Sequence, residues 1–250
     1  MKRITEAQKT MKILTKTAFT VGLLVMLIAV PALGASINKS IKVEAGSESS
    51  GASSVNGSIT VGENAVLTGG VKTVNGSIRI DQGATIRSAS TVNGAVRIAD
   101  NVQAKNLSTV NGSVKVGQSV IVDGEIEAVN GGISVEKGST VAESISNVNG
   151  KIDLSGAEVG GDISTVTGDI NVLDGSVVTG GIIVEKPGNW GWGNGNKRIP
   201  RIVIGPGSTV KGVIMLERKV ELYISETAEV GGVEGEMSMS DAIRFSGDRP

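Results

Sequence analysis

The sequence predicts an all-β protein, a single-stranded three-sided parallel β-helix (β-solenoid) of about nine to ten turns with about 18–20 residues in each. Three observations predict it. Val-Asn-Gly recurs at residues 55–57, 74–76, 92–94, 110–112, 129–131 and 148–150, with Val166-Thr167-Gly168 as a seventh copy, at steps of 19, 18, 18, 19, 19 and 18 residues. Within a unit, apolar residues recur at every sixth position, as in Val74, Ile80, Ile86 and Val92. The chain holds 36 Gly but only 2% aromatic residues, which leaves Val, Ile and Ala to fill a narrow interior of short strands. A fixed period of this length is the signature of a solenoid.

The elements follow in chain order. Residues 1–34 are expected to be a secretory signal peptide. Lys2, Arg3, Lys9, Lys12 and Lys16 precede an apolar run from Ala18 to Val30, and Ala32 and Gly34 supply small residues for cleavage after Gly34 or Ala35. Either Met1 or Met11 can serve as the start. The run is shorter than the ~20 residues that span a bilayer, so a membrane is met only if this segment stays uncleaved. The implied destination is the periplasm, the cell surface or the medium. Residues 35–54 are expected to cap the coil, because Ile41-Lys42-Val43 matches Ile59-Thr60-Val61 one unit on.

Residues 55–184 form the regular repeats. Two residues before each sixth-position aliphatic stands another apolar or small residue: Ile78 before Ile80, Ala84 before Ile86, Ser90 before Val92. A spacing of two places both side chains on one strand face. Val74, Ile78, Ile80, Ile86 and Val92 are therefore expected to point inward, with corners at 81–83, 87–89 and 93–95. Asn-Gly suits a corner that needs positive φ. It is also a hairpin signal, but a corner every six residues leaves no room for hairpin strands. The aliphatics that one turn buries do not offset the entropy of ordering 18 residues, so turns are expected to fold as a stack. Asn56, Asn75, Asn93, Asn111, Asn130 and Asn149 are expected to form a ladder of amides at about 4.8 Å.

Residues 185–201 interrupt the pattern with an insertion rich in Trp, Gly and Asn. Residues 202–235 resume it: 201–213 match 221–233 at a step of 20 residues. Residues 236–250 read as a tail, with Ile243 and Phe245 over the open end.

The composition also excludes chemistry. There is no Cys and no His, which removes thiol catalysis, thiolate metal sites and the commonest general base. Residues 1–34 hold five cations and one anion, so the rest carries 19 cations against 24 anions. That balance does not favour nucleic acid as a partner. No catalytic residue, metal or cofactor is expected. Glu63, Asp81, Asp100, Asp123, Glu136 and Asp153 sit on different corners and form no repeated column. The Gly-Gly-x-Gly-x-Asp calcium repeat is absent. Trp190 and Trp192, with Lys197, Arg198 and Arg201, form a candidate binding loop for a glycan or another envelope component. Thr73, Thr91 and Thr109 are expected to face outward beside a buried valine.

The run Ile80-Asp81-Gln82-Gly83-Ala84-Thr85 followed by Ile86-Arg87-Ser88-Ala89-Ser90-Thr91 resembles hexapeptide-repeat β-helix proteins. Residues 204–212, Ile-Gly-Pro-Gly-Ser-Thr-Val-Lys-Gly, are similar to turns of bactofilins, the polymer-forming bacterial cytoskeletal proteins. The resemblance covers residues 41–235 and implies a β-solenoid. Hexapeptide proteins imply left-handed coiling, whereas bactofilins imply right-handed coiling and end-to-end polymerisation in the cytoplasm. The signal segment departs from the bactofilin pattern. The acyltransferases and zinc enzymes of the hexapeptide class depend on His, so the resemblance carries no activity here. The expected function is a non-enzymatic, exported, structural or adhesin-like envelope rod that associates with itself end to end or side by side. The alternative is a binding module acting through the Trp190/Trp192 loop.

Overall fold

The computed structural model describes residues 37–187 and 198–250. The predicted signal segment lies outside the described residues, as do Trp190, Trp192 and Lys197. The described chain is an all-β parallel solenoid of about ten coils, with a single short 3-10 turn at Met239–Asp241. The first face is an 11-stranded sheet running from Ile41–Val43 to Ile243–Phe245. The other two faces merge into one sheet, because strands such as Thr85–Asn93 continue around the corner between them.

Every coil repeats the same inward pairs. In one coil they are Ile78 and Ile80 on the first face, Ala84 and Ile86 on the second, and Ala89 and Thr91 on the third, all buried. The next coil stacks Val96, Ile98, Val102, Ala104, Leu107 and Thr109 on them. The aliphatic members form one continuous core. The first residue of the second-face pair is small in most coils: Ala65, Ala84, Ser139, Ala157, Ser176, Ser208. It follows directly on a residue with positive φ at the corner between the first and second faces.

The third face differs from the sequence expectation. Val74 and Val92 point outward and are half-buried, while Thr73 and Thr91 point inward. The inward residues advance by six, five and seven positions from Ile78 to Ala84, Ala89 and Val96, not by six each time. A slip of one residue reverses every side chain of a strand. The corner before the third face takes only two residues, Arg87 and Ser88, and the Asn-Gly corner takes four. The threonines are therefore buried, and they form no outward array. A buried hydroxyl needs a partner, and each finds one. Thr73, Thr91 and Thr109 donate to the carbonyls of Gly57, Gly76 and Gly94 at 2.8, 2.8 and 2.9 Å. Asn147 occupies the same position and donates to the carbonyl of Gly131 at 3.5 Å.

Glycine is used for two separate reasons. At the corner between the first and second faces one residue is left-handed in coil after coil: Gly46, Asn64, Gly83, Asn101, Ser119 and Gly138 have φ between +54° and +74°. At the Asn-Gly corner only Gly150 has a positive φ, so positive φ is not what the motif supplies. A Cβ on Gly76, Gly94, Gly112 or Gly131 would lie 2.3, 2.0, 1.9 or 1.6 Å from the carbonyl oxygen of the preceding motif's glycine. No side chain fits between coils there.

At the far end, Ile243–Phe245 adds the last first-face strand against Tyr223–Ser225. Met237, Met239 and Ala242 pack on the core below it. The N–H and hydroxyl of Ser238 both donate to Asp241 at 2.8 Å and hold its carboxyl below the usual carboxylate range.

Candidate functional site

The four-residue corner carries the asparagines. Asn56 donates its side-chain amide to Oδ1 of Asn38, Asn75 to Asn56, Asn93 to Asn75, Asn111 to Asn93 and Asn130 to Asn111, at 2.8–3.0 Å. Asn149 stands in register with Asn130 and accepts a hydrogen bond from the Thr167 hydroxyl. Each amide in the run from Asn56 to Asn111 thus donates to one neighbouring coil and accepts from the other. Asn38 escapes the motif count because Ile37-Asn38-Lys39 lacks the glycine. Its spacing of 18 residues from Asn56 was the available signal.

The insertion occupies this same corner. It joins Val184, at the end of the third face, to Ile202, at the start of the first. The side chains at its far base are tied down. Arg198 makes an ion pair with Asp169 at 2.5 Å, and the backbone N–H of Arg201 donates to the same carboxylate at 3.0 Å. The Arg201 guanidinium stacks over the Tyr223 ring, 4.6 Å from its centroid. Arg218 donates to the carbonyls of Val166 and Arg198 at 3.1 and 2.9 Å. Arg198 and Arg201 are thus brought together, and both are engaged within the chain.

The carboxylates singled out in the sequence are spread along the rod. Asp81 pairs with Arg79 at 2.9 Å, and Asp100 accepts the backbone N–H of Gln118 at 2.8 Å. Asp153 stands in the middle of the first-face strand Lys151–Ser155, not at a corner as expected; it pairs with Lys151 at 2.8 Å and accepts the Asn171 amide at 2.7 Å. Asp153 lines a first-face groove of about 420 Å³, which Arg249 and Pro250 overhang. Among the described residues, no three acidic groups gather in a way that could hold a metal ion. Among them too, no helix is long and apolar enough to cross a membrane.

Two outward columns escaped the sequence reading. On the first face Arg79, Arg97 and Lys115 stand in register on successive strands, all exposed. The signal was an Ile-Arg-Ile, Val-Arg-Ile, Val-Lys-Val series at one place in three units. On the third face the motif valines form an apolar column. It begins at Ile37 and continues through Val55, Val74, Val92, Val110, Val129 and Val148 to Val166. In the next three coils the column is acidic, with Glu185, Glu217 and Glu236.

No protein-family model, curated protein or solved structure matches this chain.

Proposed function

We propose that this protein is a non-enzymatic, exported, structural or adhesin-like rod of the cell envelope that associates with copies of itself. One observation carries the reading: the outward chemistry is arranged in columns that run along the axis, amide on amide, cation on cation, valine on valine. A column repeating at about 4.8 Å offers the same surface at every coil. Such a surface suits a long or repetitive partner better than one small substrate held at one point. The likeness to bactofilin turns adds end-to-end growth as one route of assembly, and the expected signal segment directs that assembly outside the cytoplasm. Fold alone does not supply function. Cell fractionation and electron microscopy of the purified protein test the reading together. Particles longer than a single rod, made of chain recovered from the envelope, are expected. A cytosolic chain that stays monomeric at millimolar concentration overturns it.

A second reading rests on the tied base of the insertion. Arg198, Arg201 and Arg218 anchor that corner to neighbouring coils, as suits a loop displayed for binding a glycan or envelope component. Replacing Trp190 and Trp192 by Ala is expected to abolish cell-wall pull-down if this reading holds. Unchanged pull-down removes it.

A further inference from the structure

We propose that the first face binds a linear acidic glycan, laid along the axis over Arg79, Arg97 and Lys115. The proposal rests on the reading that the outward columns serve a long partner, and neither on self-association nor on the Trp loop.

The three cations stand at the centres of the strands Ile78–Ile80, Val96–Ile98 and Val114–Val116. They are in register and exposed. Successive coils lie about 4.8 Å apart, and like charges side by side on neighbouring strands oppose each other. The column therefore costs stability, and the chain does little to offset it. Arg79 gives its Nε to Asp81 at 2.9 Å and keeps both terminal nitrogens. Arg97 and Lys115 have no ion pair or hydrogen bond among the described residues. Asp100, at the neighbouring corner, accepts the backbone N–H of Gln118 instead of a cation.

The surroundings of the column are rich in donors. Two residues before the cations stand Ser77, Ala95 and Ser113, small enough to leave the long side chains clear. The Ser77 hydroxyl accepts the N–H of Ala95 at 3.3 Å and keeps its own O–H to donate. The asparagine ladder borders the same strip around the corner. Asn93 and Asn111 each spend one amide N–H on a neighbour and keep the other. An ionised carboxylate accepts from all of these groups and donates to none.

The shape of the strip selects a chain over a surface. It is one cation wide. In register with it, Thr60 stands before Arg79 and Ser134 after Lys115, so the charge covers three coils and stops. A membrane would be met by charge spread across the face. A uronic-acid polymer carries one carboxylate on each sugar, and one sugar ring spans about one coil. Its ring hydroxyls fall beside the serines and asparagines. Polyphosphate sets its charges closer together than the coils stand. Because the chain beyond residue 34 is net acidic, with 24 anions against 19 cations, the attraction is local and salt screens it beyond about 10 Å at 0.1 M.

Polygalacturonate is the probe. Its binding to the purified protein at low salt, followed by calorimetry, is expected to fall as salt is added. Arg79→Gln, Arg97→Gln and Lys115→Gln are each expected to weaken it about two- to fivefold, and the triple variant about tenfold or more. The triple variant should melt no lower than the parent, since repulsion is relieved. Lys211→Gln, at the corner between the second and third faces, should leave binding unchanged. Equal binding of neutral dextran, tighter binding of polyphosphate or of phosphatidylglycerol vesicles, a loss with Lys211→Gln as large as with Arg97→Gln, or no binding at all overturns the proposal. Sedimentation without polymer reads self-association separately. A monomer that binds the polymer through these three cations overturns self-association alone, and an assembling protein indifferent to the polymer overturns the strip alone.

Discussion

The two glycine-bearing corners of each coil look alike in sequence and obey different physics. At the first corner, between the first and second faces, the backbone itself is unusual: the left-handed position is filled by Gly83, Asn101, Ser119 and Gly138 in successive coils. A Cβ on Gly138 would meet nothing nearer than the Ser119 hydroxyl, at 3.4 Å, and one on Gly83 would meet only the tip of the Asn64 side chain, at 2.3 Å, with no backbone in the way. At the Asn-Gly corner the backbone is ordinary in most coils and space is absent. The first corner tolerates Asn and Ser because a left-handed residue costs only about 1–2 kcal/mol. The second keeps glycine from Gly57 to Gly168, because no rotation of the chain creates room for a methyl group. A repeated Gly is thus two different statements, and only the contacts along the axis tell them apart.

Substitutions sharpen the contrast. The largest effect is expected from Gly94→Ala, whose Cβ would sit 2.0 Å from the Gly76 carbonyl. Coils must separate to admit it, at a cost of about 3 kcal/mol or more. Hydrogen exchange should show the loss concentrated in the coils on either side. Thr91→Val keeps the shape but strips the donor from the Gly76 carbonyl. It should cost about 1–2 kcal/mol, seen as a lower urea midpoint. Gly138→Ala, at φ +74°, should cost about 1 kcal/mol. A loss as large as that of Gly94→Ala would break the distinction. Asn101→Gly should change stability by only a few tenths of a kcal/mol, whereas glycine-to-asparagine at position 94 should abolish folding of that region. Circular dichroism melts of this last pair give the cleanest single comparison.

The architecture was legible from the chain because its period and its aliphatics agree. The first-face pairs Ile78/Ile80 and Ile59/Val61 alternate without ambiguity and are buried as read. The third face offered two frames, Ala89/Thr91 and Ser90/Val92. Hydropathy favours the second frame and the structure adopts the first. The deciding fact is a hydroxyl that reaches a corner carbonyl in the neighbouring coil, and no count of apolar residues can register it. That error also concealed the outward valines, since a residue assigned to the core is not sought on the surface. The asparagine spacing, by contrast, was visible because stacking requires only that the period hold. Among the cations of the insertion, Arg198 and Arg201 were legible as neighbours in sequence. Their partners Asp169 and Tyr223 lie one coil away on either side and came only with the register.

The insertion corner has a practical consequence. The step from the third face to the first takes seven residues at Ile163 to Ile170 and twenty at Ile182 to Ile202, yet the coils on both sides keep their pairing. The entropic cost of closing a loop grows only logarithmically with its length. The rod is therefore a scaffold for grafting: a foreign segment spliced after Lys186 would be carried at one defined height, and the sheets beneath would not register its length.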